Sequence, residues 1–107
     1  MHWLFMIAAI CFEVVGTISL KLSMGFTKPV FVIITVLGYL VSLGLLGLAL
    51  KGIPVSAAYA VWSGLGAALV AVIGIAALGE PASALRFACI ALIITGVVGL
   101  YLVDRAV

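Results

Sequence analysis

Four apolar runs, each long enough to cross a bilayer, fill this chain of 107 residues almost end to end, over residues 3–20, 30–50, 55–78 and 84–103. A membrane helix takes about 20 residues, so four of them use about 80 and leave only short termini and three tight connections. The runs are continuous. A transmembrane barrel is thereby excluded, because its strands alternate lipid-facing apolar residues with polar residues in the lumen. Only 7% of the residues are charged, against about 25% in soluble domains, so no extramembrane domain is expected. A net charge of +2 offers no basic stripe for a phosphate backbone, and nucleic acid is set aside as a partner. The expected fold is all-α and integral to the membrane: one four-helix domain over residues 1–107, with the lipid bilayer as its solvent.

Turn formers and charges punctuate the runs. Lys21, Ser23, Gly25, Thr27, Lys28 and Pro29 break the first from the second, glycine freeing the backbone and proline removing a donor. Lys51-Gly52-Ile53-Pro54 reads as a helix end with a basic residue, a glycine and a proline beyond it. Gly79-Glu80-Pro81 closes the third run, and Arg86 lies near enough to the start of the fourth to snorkel to the interface. Connections this short make consecutive helices antiparallel neighbours. The first run has only the α-amine and His2 ahead of it and an acid in its middle, so it is expected to stay as a span rather than act as a secretory signal. Cys11 and Cys89, both inside apolar runs, read as small hydrophobes. One histidine and no Cys/His spacing pattern give no metal site, and no cofactor is expected.

The residue out of place is Glu13, in the middle of the first run between Phe12 and Val14. An ionisable group at a span centre costs about 2.5 to 3.5 kcal/mol on insertion scales, and such groups face the bundle interior and mark pathways. No Lys or Arg sits at comparable depth to neutralise it. Desolvation penalises the bare anion, so this carboxyl is driven to hold either a proton or a cation. Ala9, Ile10, Gly16 and Thr17 lie three and four residues away and share its helical face. That face is mostly small, which lets another helix or a ligand approach closely.

The third run contains Tyr59-Ala60-Val61-Trp62-Ser63-Gly64-Leu65-Gly66. Trp3 and Tyr101, at span ends, fit the interfacial belt of membrane aromatics. Tyr59 and Trp62 lie further in and, three apart, share a face. A face of this kind attracts a cation by about 0.5 to 2 kcal/mol. Gly64 and Gly66 weaken the helix locally and allow a bend. Tyr39 and Ser42 in the second run also share a face and are candidates to supply hydroxyls to the same cavity.

Taken together, Glu13-Val14-Val15-Gly16-Thr17 with Lys21, Ser23 and Gly25-Phe26-Thr27, and Pro54, Ala58-Tyr59-Ala60, Trp62-Ser63-Gly64 and Gly66, resemble the first- and third-span signatures of the small multidrug resistance family. Thr95-Gly96-Val97-Val98 is similar to the family's fourth-helix association segment. The resemblance implies an antiparallel homodimer of four-helix protomers inserted in both orientations in the bacterial inner membrane, and proton-coupled export of organic cations. It implies Glu13 as the proton and cation carboxylate, Trp62 and Tyr59 as an aromatic wall, and Tyr39 and Ser63 as secondary polar contacts. Gly64 and Gly66 become the flexible point of the third helix, and Thr95 to Val98 the dimer interface.

Guanidinium exporters of this family typically carry a tryptophan three residues after the glutamate, where this chain has Gly16 and then Thr17, as in the drug-exporting branch. Glu80-Pro81 and Ala84-Leu85-Arg86 resemble the guanidinium branch instead, and Cys89 stands where a glycine is typical seven residues before Gly96. With Gly16 leaving the cavity wide, the expected activity is export of quaternary ammonium and other lipophilic cations in exchange for protons. Alternatives are a guanidinium-type or polyamine exporter of the same family, or a non-transporting membrane subunit in which Glu13 only bonds helices together. No enzymatic chemistry is expected.

Overall fold

The computed structural model describes residues 1–106, with side chains as far as Val103. Arg105, which enters the charge count at the chain's end, lies outside the described side chains. Among the described residues all regular structure is helical: α1 His2–Leu22, α2 Pro29–Ala49, α3 Val55–Ala77 and α4 Ala84–Ala106. Each is long and apolar enough to span a membrane. The chain divides into two compact units, residues 1–54 with α1 and α2, and residues 55 onward with α3 and α4. Each unit is a helical hairpin.

In the first hairpin α1 ends where Ser23, fully buried, takes over the backbone. Its hydroxyl donates to Leu20 O at 2.7 Å and accepts from Phe26 N–H at 3.1 Å, while its carbonyl accepts from Thr27 N–H and Thr27 Oγ1. Met24, Gly25 and Phe26 all take positive φ, at 51°, 72° and 67°. For Met24 and Phe26 the left-handed region costs about 1 to 2 kcal/mol each, and the bonds to Ser23 offset that strain. Lys28 is extended and Pro29 opens α2, the first-turn position where its missing N–H has no intrahelical partner to lose.

Small and hydroxyl residues set the distance between α1 and α2. Thr35, Gly38, Ser42 and Ala49 are the buried residues of α2, spaced three, four and seven apart on one face. Ser42 Oγ donates to Ala9 O at 2.7 Å, and Thr35 Oγ1 reaches Gly16 O at 3.1 Å as well as Phe31 O of its own helix at 2.8 Å. Between them a Cβ on Gly38 would stand 3.0 Å from Phe12 O and 3.4 Å from Gly16 Cα. Apolar surface drives little association inside lipid, so close backbone approach and interhelical hydrogen bonds hold such a pair. At the other end the His2 ring lies over the bare α-carbon of Gly52.

The second hairpin uses the same device. A Cβ on Gly64 would come 2.6 Å from Val97 Cγ2 of α4. After Ala77, Gly79 at φ 72° turns the chain so that Glu80 N–H, with Leu78 N–H, donates to Gly74 O at 3.1 Å. The Glu80 carboxylate folds onto the bare α-carbon of Gly74 and pairs with Arg86 at 3.6 Å. Ser83 caps α4, its hydroxyl accepting Arg86 N–H at 3.1 Å. No described residue of α4 is buried within its span.

Candidate functional site

Glu13 is half-buried on α1. Its carboxylate Oε1 accepts a hydrogen bond from Thr17 Oγ1, one turn further along, at 3.2 Å. Thr17 Oγ1 in turn lies 2.8 Å from Tyr39 Oη on α2, so three oxygens form a chain across the hairpin. A carboxylate with a hydroxyl donor in a strong contact sits at about 2.5 to 2.7 Å, so the tether on Glu13 is loose. Among the described residues the ion pair is Arg86 with Glu80, and no basic side chain pairs with Glu13. The carboxylate is thus held in place without being neutralised.

Gly16 is what admits Tyr39. A Cβ at Gly16 would stand 2.8 Å from both Cδ1 and Cε1 of the tyrosine ring and 3.3 Å from Thr35 O. The expectation that Gly16 leaves the cavity wide is therefore corrected: the ring of Tyr39 fills the space that a side chain at position 16 would take. Ser42 also departs from expectation. It is buried, and its proton goes to Ala9 O rather than toward Glu13. Ala9 and Ile10 are fully buried, so they form the floor of the seam and present no surface to a ligand in this structure. Nearby on the hairpin, Phe12, Val15, Ile34, Leu37, Gly38 and Val41 line a groove of about 210 Å³. Its lining has no charged group and so offers a cation nothing.

On the second hairpin Tyr59 is 70% exposed, Trp62 half-buried and Ser63 exposed. α3 runs unbroken through Gly64 and Gly66. Gly64 admits Val97 and Ile93 of α4, and Gly66 is buried. Of the expected association segment, Thr95, Gly96 and Val98 are exposed while Val97 is half-buried and turned to α3. Thr95 Oγ1 donates to Ala91 O of its own helix at 2.7 Å. Cys11 and Cys89 are free and exposed. Ser23, expected only as one turn former among several, caps the first turn, and Thr35, with no expected role, is structural in the seam. The spacing of Thr35, Gly38 and Ser42 in an otherwise bulky apolar helix was the signal for the second.

Four membrane-length helices, the first carrying a loosely tethered carboxylate, define a small helical membrane protein. A model of the Small Multidrug Resistance protein family matches residues 1–93, and the chain belongs to that family. The uncharacterized membrane protein YvaE of Bacillus subtilis is 48% identical over 105 residues, covering 98% of this chain and 88% of that one. A guanidinium exporter of Escherichia coli O6:H1 is 45% identical over 102 residues, covering 95% and 97%. A guanidinium exporter of Proteus vulgaris is 40% identical over 102 residues, covering 95% and 98%. The expectation of a quaternary ammonium branch finds no support among these relatives. The chain is a multi-pass protein of the bacterial inner membrane.

Proposed function

We propose that this protein exports small guanidinium-type cations in exchange for protons, with Glu13 carrying one or the other. The observation that carries this is the carboxylate itself: intramembrane, half-buried, without a basic partner among the described residues, and held by a hydroxyl at 3.2 Å. A guanidinium ion is planar and presents paired N–H donors that match a carboxylate edge to edge. Tyr39 seated on Gly16 supports a small cation over a bulky one, and relatives described as guanidinium exporters support the same substrate class.

Export needs one site open to two sides in turn, and four helices hold too little material to enclose and gate it. Two antiparallel copies form an inverted repeat, in which the two facing states are equivalent by symmetry. The two Glu13 carboxyls then face one site and share its charge. Protons and cation compete for the same charge, and that competition is the coupling. Trp62 and Tyr59 supply the aromatic contacts to the cation.

The test is proton release from purified protein in weakly buffered detergent on adding guanidinium, tetrapropylammonium or spermidine. Release with guanidinium alone is expected. Release only with the quaternary or polyamine cation would move the substrate class, and release with none would leave a non-transporting subunit.

A further inference from the structure

The hydroxyl chain that ends on Glu13 has a direction, and the direction depends on the carboxyl's proton. A threonine hydroxyl has one proton to give and two lone pairs, and an ionised carboxylate can only accept. While Glu13 is bare, Thr17 Oγ1 spends its proton on Oε1 at 3.2 Å, so the 2.8 Å contact to Tyr39 must be the tyrosine donating to the threonine. Once Glu13 carries a proton it becomes a donor. Thr17 is then able to accept from Glu13 and give its own proton to Tyr39 Oη, whose hydroxyl proton is released to turn elsewhere.

We infer that Tyr39, seated on Gly16, is a positioning residue that acts on Glu13 through Thr17, and that the polarity of this chain switches with each proton exchanged. This deepens the proposed exchange and rests on it. With the carboxylate bare, two hydroxyls in series steady it in a fixed orientation for an incoming cation. The 3.2 Å length leaves the tether weak enough for a guanidinium ion to displace. Gly16 is part of the device because its bare α-carbon is what brings the ring of α2 to α1. Tyr39 is the one titratable group of α2, and on α1 the neighbours of Glu13 in sequence that titrate are Cys11 and Lys21, both exposed. Neither forms a described bond to the chain.

Difference infrared spectroscopy on the full-length protein in lipid, with ring-labelled tyrosine, reads both ends of the device. Acid titration without any cation should show the carboxylate band of Glu13 lost together with a shift of one tyrosine band, assigned to Tyr39 by its absence in Tyr39→Phe. Thr17→Val should abolish the tyrosine shift while the carboxyl still titrates, and Thr17→Ser should restore it. Gly16→Ala, which displaces the ring, should match Tyr39→Phe in weakening guanidinium binding about three- to tenfold, the value of one modest hydrogen bond. The double variant should be no worse than either single one. A Tyr39 band that stays fixed while Glu13 titrates, or that shifts equally in Thr17→Val, overturns the inference. Because the acid titration uses no substrate, its result stands apart from whether guanidinium is the cation exported.

Discussion

Replacing Gly38 by alanine tests the seam on which the site is built. The new Cβ would lie 3.0 Å from Phe12 O and 3.4 Å from Gly16 Cα, and both are backbone atoms that cannot rotate away. The helices must separate by a few tenths of an ångström, at an overpacking cost of about 1 to 3 kcal/mol. Separation also stretches the bonds from Thr35 to Gly16 O and from Ser42 to Ala9 O on either side, each worth about 0.6 kcal/mol in a membrane. Against this, alanine gains about 0.5 to 1 kcal/mol over glycine within a helix. The net expectation is a loss of about 1 to 3 kcal/mol. Gly44, on the same helix with nothing within 4 Å of its Cβ position, is the control, and Gly44→Ala should be neutral or mildly stabilising. Reversible unfolding in mixed micelles, followed by circular dichroism against detergent mole fraction, measures both. If Gly38→Ala is as stable as Gly44→Ala, the close approach of α1 and α2 does not hold the hairpin.

Trp62→Ala should weaken cation affinity by about 1 kcal/mol or more if the ring meets the charge, and an unchanged dissociation constant in calorimetry would return Trp62 to packing. Glu80→Gln should break the pair with Arg86, whose partners are 40% and 45% exposed. It should change stability by less than about 1 kcal/mol, as half-exposed pairs do, and a larger loss in the same unfolding assay would give this pair a weight it does not merit by exposure. Lys51 and Arg105 fall on the side of the termini and Lys21, Lys28 and Arg86 on the other; two against three is almost no bias under the positive-inside rule. Reporter fusions should therefore find both orientations. A single orientation would call for a separately encoded, oppositely inserted partner.

Run length and turn residues made the four helices legible in the sequence, because lipid leaves the backbone few alternatives to a continuous helix. Glu13 was legible as an acid with no Lys or Arg at its depth, and Thr17 as its neighbour one turn away. Tyr39 could not be placed against Gly16 in advance. That contact depends on the register between α1 and α2, which Thr35, Gly38 and Ser42 fix by meeting Gly16, Phe12 and Ala9. A missing side chain at position 16 reads as space when one helix is considered alone, and as a socket once its neighbour is in place. Ser23 escaped for a related reason, since a serine in a turn looks like any polar turn residue until three left-handed positions follow it.

The most direct measurement is guanidinium-driven proton movement in liposomes holding the wild-type protein or Glu13→Gln at equal amounts. An outward guanidinium gradient should drive protons inward through the wild type and through Glu13→Gln not at all, with both proteins inserted and dimeric. Proton movement sustained by Glu13→Gln would contradict the carboxylate exchange.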